Sequence, residues 1–165
     1  MIDIYLNIYD IHPINCFLDN LGLGAYHTAI RIGNREYSFS RKKGIYYVHL
    51  DNTSNLKESI YMGSINEEEN NIINLVSTYS HEFNENTYCY LNNNCNHFTN
   101  SVLSSLFIKN IPDYINRLAN FMSVISCFIP YEYFYSLQVT CVCEEYEIKI
   151  TNLLTDLETD GPIYF

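Results

Sequence analysis

Apolar and polar residues alternate from the start of the chain, with Ile4, Leu6 and Ile8 on one side and Tyr5, Asn7 and Tyr9 on the other. A period of two is that of a half-buried strand. Pro13 and Asn15 mark a break, and Gly22 and Gly24 bracket a turn. The stretch "AYHTAIRIGNREYSFS" then reads as two strands joined at Gly33-Asn34, a two-residue hairpin connection. "GIYYVHL" and "ESIYMGSI" have the composition of two further strands. From residue 66 to residue 83 the period changes: Ile72, Val76, Tyr79 and Phe83 recur at helical spacing behind the acidic Glu67 to Glu69. A second helix is expected from Cys95, with Phe98, Val102 and Leu106 on one stripe. A third is expected from Pro112, with Ile115, Leu118, Met122 and Ile125 on its stripe and Pro130 as its stop.

The 165 residues are long enough to bury a core and short for two full domains. The formal charge of −10, with nine basic side chains against nineteen acidic ones, argues against nucleic acid as a partner. Arg41-Lys42-Lys43 is the one basic cluster, and a solvated turn accounts for it. The opening "MIDIYLNIYD" lacks a basic region followed by an apolar one. A reducing compartment, cytoplasmic or also nuclear, is therefore expected, with thiols rather than disulfides. No apolar run is long enough to suggest an integral membrane segment. Residues 131–165 read as a C-terminal extension, with "TDLETDGPIYF" as a loosely docked tail.

The candidate chemistry lies in "YLNNNCNHFTNSVLSSL", residues 90 to 106. A cysteine at a helix start is held more readily as the reactive thiolate, and backbone N–H groups there can also receive an oxyanion. Asn92, Asn93 or Asn94 can cap the helix, and Asn94 is the candidate for orienting the site or binding an oxyanion. His97 is two residues from Cys95 and would point elsewhere on a helix. His27 lies in a strand on the face of Ala29 and Arg31. The small Ala29 would then lie under the helix that carries Cys95 and let it come close. By spacing alone Cys95 reads first as a buried structural thiol, and a zinc site would need Cys95 and His97 together with the Cys141-x-Cys143 pair. That last spacing is unusual for structural zinc, so no metal or cofactor is expected.

The series "LNIYDI", "PIN", "LGLGAYHTAI", "EYSF", "GI", "NNCNHFTN", "IPDYINRLANF" and "CFIP", running from Ile4 to Pro130, resembles the PPPDE family, the DeSI-like cysteine isopeptidases. The resemblance implies a PPPDE domain over residues 1–130 with an α+β, permuted papain-like fold, a small antiparallel sheet packed against three helices. It also implies a catalytic dyad at His27 and Cys95, with His97 supporting the turn. "NCNHF" is similar to the subgroup linked to deubiquitination. "SFSRKKGI" departs from the family's habit of a small glycine-containing loop after the aromatic residue, which bears on substrate preference.

The function this resemblance implies is removal of ubiquitin or a ubiquitin-like modifier such as SUMO from protein conjugates. The same dyad could cleave a thioester, as a protein S-deacylase would. A third reading is lipid acyl transfer, from the permuted papain-like lecithin:retinol acyltransferase family. That family has a further histidine where this chain has Tyr37 and Phe39. The remaining alternative is a modifier-binding module without turnover. No oligomeric state is assigned.

Overall fold

The computed structural model describes residues 1–11, 13, 15–49, 56–107 and 109–126. Five strands form one antiparallel sheet in the order β4-β3-β2-β1-β5. They are β1 (Ile2–Asp10), β2 (Tyr26–Ile32), β3 (Arg35–Ser40), β4 (Gly44–His49) and β5 (Leu56–Ile65). The helices are α1 (Asn15–Leu18), α2 (Glu69–Thr78), α3 (Cys95–Phe107) and α4 (Arg117–Ser126). This is the expected α+β architecture, with one addition. The break after β1 contains the single-turn helix α1, followed by a 3-10 turn at Asp19–Leu21.

Strand alternation divides the sheet into two chemically different faces. One carries Ile4, Leu6 and Ile8 of β1, Ile30 and Ile32 of β2, and Tyr37 and Phe39 of β3, all essentially inaccessible to solvent. Against it lie Ile72 and Val76 of α2, and Phe98, Val102 and Leu103 of α3. Phe39 meets Phe83 with ring centroids 5.3 Å apart, and Phe83 meets Phe98 at 5.5 Å, both edge-on. Burying side chains of this size stabilises by about 1.5–3 kcal/mol each, so this face holds the domain together.

The opposite face carries Asn7, Glu36, Ser38 and Ser40, which are also buried. Buried polar groups must find partners. Glu36 Oε1 accepts from Asn7 Nδ2 at 2.9 Å and from the Tyr9 hydroxyl at 2.5 Å, and Ser59 donates to Asn7 Oδ1 at 2.6 Å. Burial pushes the Glu36 carboxyl above the usual range.

The hairpin at Gly33-Asn34 is present, with Gly33 at φ 58°, the left-handed conformation a tight turn of this kind needs. Two helix boundaries differ from the sequence reading. The helix expected over residues 66 to 83 is α-helical only at Glu69–Thr78 and tightens to 3-10 at Tyr79–His81. The helix expected from Pro112 begins at Arg117 instead. The Ile115 amide bonds Pro112 O, three residues back, and Arg117 bonds Tyr114 O. These are successive turns, which bring Ile111 and Ile115 into the core and set the Tyr114 ring edge-on against Tyr26. Pro130 and the Cys141-x-Cys143 pair lie outside the described residues.

Candidate active site

The loop before α3 is closed by a pair of bonds in which Cys89 and Asn93 exchange backbone N–H and C=O groups, each at 2.9 Å. Asn93 Nδ2 also bonds the carbonyls of Glu82 and Thr87. That closure delivers Asn94 as the helix cap. Its Oδ1 accepts from the backbone N–H of Asn96 at 2.9 Å and of His97 at 3.2 Å. In return His97 Nδ1 lies 2.8 Å from Asn94 Oδ1 and 3.3 Å from the Asn94 backbone nitrogen. His97 thus returns a contact to the capping residue from the position that a capping box gives to Glu or Gln. The cap makes Cys95 the first residue of α3, and the residue is only 4% exposed. The Asn94 amide nitrogen donates to Tyr90 O at 2.7 Å, so both ends of that side chain hold the turn.

Asn96 ties this helix start to β2. Its Nδ2 donates to Tyr26 O at 3.2 Å, and its Oδ1 accepts from the Thr28 hydroxyl at 2.9 Å. The Cys95 thiol donates to the same Oδ1 at 3.5 Å. Tyr26 and Thr28 flank His27, so the residue next to the cysteine grips the strand on both sides of the histidine.

The grip falls where the sheet opens. Backbone pairing between β2 and β3 runs from Ile32–Arg35 to Ile30–Tyr37 and ends there. Carbonyls two residues apart on a strand emerge at the same edge. Thr28 O meets the Ser38 hydroxyl at 2.9 Å, so Tyr26 O emerges on the β3 side as well, and Asn96 fills that place.

This geometry corrects the expectation for Ala29. Thr28 is the β2 residue whose side chain meets α3, through Asn96 and through Thr99 at 3.1 Å. Alternation puts His27 and Ala29 on the other face, with Asn7 opposite Ala29 and Tyr9 opposite His27. The helix start is therefore bonded to β2 on either side of His27, and Ala29 does not set the separation of helix and sheet.

The His27 ring lies 6.0 Å from the Tyr9 ring, centroid to centroid, and its Nε2 lies 3.2 Å from the Ser38 hydroxyl oxygen. The residue keeps part of its surface accessible, yet burial of the ring pushes its pKa down to about 4. It is neutral at physiological pH. Burial likewise lowers His97. Sequence reasoning did not single out Ser38. The signal was present, because a serine between Tyr37 and Phe39 projects to the same side of the sheet as His27. Among the described residues, no group of three His, Cys, Asp or Glu could hold a metal ion. No helix there is long and apolar enough to cross a membrane.

Residues 2–133 match the family described as "PPPDE putative peptidase domain". The chain belongs to the PPPDE peptidase family. The chain is 32% identical over 145 residues to a DeSI-like protein of Arabidopsis thaliana, covering 84% of this chain and 63% of the relative. It is 31% identical over 125 residues to the Desumoylating isopeptidase 1 homolog of Caenorhabditis elegans, covering 70% of this chain and 37% of the relative. To the DeSI-like protein sdu1 of Schizosaccharomyces pombe it is 29% identical over 128 residues, covering 70% and 63%. The chain thus spans less than two thirds of the length of each of these relatives. Both Cys95 and His27 fall inside the PPPDE match, and membership supports a peptidase or isopeptidase role.

Proposed function

We propose that this PPPDE domain is a cysteine isopeptidase in which Cys95 is the nucleophile and His27 its base, and that it releases ubiquitin or a ubiquitin-like modifier from lysine side chains. The observation that carries the reading is the bonding of Asn96 to both neighbours of His27, which ties the first turn of α3 to the strand segment that carries the histidine. A neutral imidazole takes the thiol proton as sulfur attacks the carbonyl carbon of the modifier's C-terminal glycine. The imidazolium returns that proton to the lysine amine as the C–N bond breaks, and water then hydrolyses the thioester. Asn94 acts by holding the turn, leaving the positive end of the α3 dipole directed at the sulfur and the developing oxyanion.

A sulfur in a residue 4% exposed is reached only by a slender segment, and a diglycine tail is one. A fatty acyl chain is slender too, and that keeps S-deacylation as the second reading. The polar contact of the sulfur favours the peptide: the thiol bonds the Asn96 amide oxygen, whereas an alkyl chain gains from apolar walls. The name of the Caenorhabditis elegans relative points to SUMO as the first modifier to try.

The deciding experiment offers SUMO and ubiquitin, each ending in a C-terminal electrophile, to the wild-type chain and to Cys95→Ala. Covalent labelling of wild type alone supports the isopeptidase reading, and the more reactive probe names the modifier class. Hydrolysis of a fluorogenic acyl thioester with neither probe labelled would transfer the proposal to S-deacylation. Binding of a probe without labelling would make the domain a modifier-binding module.

A further inference from the structure

Ser38 makes two contacts with its one hydroxyl group, and only one arrangement of hydrogens satisfies both. The oxygen lies 2.9 Å from Thr28 O and 3.2 Å from His27 Nε2. A backbone carbonyl can only accept, whereas a neutral imidazole nitrogen is a donor or an acceptor according to its tautomer. The Ser38 hydrogen therefore goes to Thr28 O, and the Ser38 oxygen is left to accept from Nε2–H. With the opposite assignment, Thr28 O would lose this bond in the very stretch where β3 has ceased to pair with β2. Ser38 is 2% exposed, so water does not readily substitute for it.

We infer that Ser38 is a positioning residue that holds His27 as the Nε2–H tautomer, leaving the lone pair on Nδ1 as the base for Cys95. The inference rests on the reading of Cys95 and His27 as a catalytic pair. It adds a third residue, on the strand that follows the histidine strand. In the forward step the thiol proton passes to Nδ1 as the S–C bond forms, and the ring becomes an imidazolium carrying hydrogen on both nitrogens. Ser38 accepts from Nε2–H before and after the transfer, so no reorganisation is needed at that side of the ring. The bond strengthens once the ring is charged, because charge-assisted hydrogen bonds are the stronger kind. That strengthening selectively lowers the barrier.

Nitrogen-15 NMR of histidine-labelled protein at neutral pH reads the tautomer directly. The wild type should show a protonated Nε2 and an unprotonated Nδ1 for His27. Ser38→Ala should give a mixture of tautomers and a loss of roughly 10- to 100-fold in kcat for the modifier substrate, with KM little changed. Ser38→Thr keeps the hydroxyl and should restore both the tautomer and the rate. A wild-type His27 protonated on Nδ1 overturns the inference, and that reading holds even if Ser38→Ala fails to fold. A folded Ser38→Ala with a single Nε2–H tautomer and full kcat overturns it as well. Cys95→Ala distinguishes the underlying reading: turnover surviving in that variant removes the catalytic pair, whereas the tautomer measurement is independent of turnover.

Discussion

The Thr28 hydroxyl donates to the Asn96 amide oxygen across 2.9 Å, joining the histidine strand to the first turn of the cysteine helix. The bond is between two side chains, both buried, on residues 68 positions apart in the chain. Thr28→Val keeps the volume and removes the donor, leaving Asn96 Oδ1 with the weak thiol donor of Cys95. It should cost about 1–2 kcal/mol in thermal or chemical denaturation. In protein that remains folded, it should also slow alkylation of Cys95 by iodoacetamide. Normal stability together with normal alkylation would show that Asn96 does not register the helix against the strand.

The reciprocal cap at the start of α3 predicts coupled effects. Asn94→Ala should lose about 0.5–2 kcal/mol, the usual cost of removing a helix cap, and should slow probe labelling because the first turn loosens. His97→Ala should cost stability while folded protein keeps its labelling rate. The double variant should lose less than the sum of the two, since each single change already breaks the shared arrangement. Additive losses in a denaturation cycle would mean that the two residues act separately.

His27 should set an unusual acid limit. Its pKa falls from the ordinary 6.5 to about 4 through burial, so the unfolded chain binds a proton that the folded chain refuses between those values. The associated stability is fully present above pH 6.5 and is lost as pH falls through about 4, by at most about 3 kcal/mol. His27→Gln should flatten the stability profile across that window, with the smaller slope from His97 remaining. Turnover of the wild type should decline near pH 4 rather than near 6.5 if the free enzyme's base is this imidazole. An acid limb at the ordinary histidine value would separate the measured base from the buried ring.

Glu36 should behave in the opposite sense. Burial raises its pKa above 4.5, so the folded chain holds a proton more tightly than the unfolded one does. The stability this gives is fully present below pH 4.5 and is lost as pH rises through the raised folded value. Glu36→Gln keeps an acceptor for Asn7 and Tyr9 and has nothing to ionise. The melting temperature of the variant relative to wild type should therefore climb as the buffer is taken from pH 4.5 to 8. A constant difference would mean that the carboxyl carries the same charge in both states.

Much of the architecture was legible because it depends on local rules. Ile4, Leu6 and Ile8 alternate, Gly33-Asn34 fits a two-residue turn, and Phe98 and Val102 repeat at helical spacing. What failed needed information beyond spacing. Ile111 and Ile115 are four apart whether the chain between them is a helix or a pair of turns, and Pro112 suits either. Alternation puts His27 and Ala29 on one face, but it does not say which face receives α3. Thr28 was the residue to weigh, since a strand hydroxyl on the apolar side of the sheet must meet a partner. Spacing leaves Asn92, Asn93 and Asn94 as equal candidates for the cap, yet Asn93 ties the loop, Asn94 caps the helix and Asn96 binds the strand. Amides serve so many geometries that spacing alone does not reveal their tasks.

The cap at the start of α3 has a consequence for how this protein ages. An aspartate would cap the helix as well as Asn94 does, and the chain is rich in acids, with nineteen Asp and Glu. Yet the residues bracketing Cys95 in sequence, Asn92 to Asn94 and Asn96, are all neutral amides. Spontaneous hydrolysis of the Asn94 amide would keep the cap, remove the donor to Tyr90 O and set a negative charge beside the sulfur, where it opposes thiolate formation. A stored sample would then melt earlier and also lose its reactivity. The change is a single dalton in mass, which an intact-mass measurement separates from ordinary unfolding.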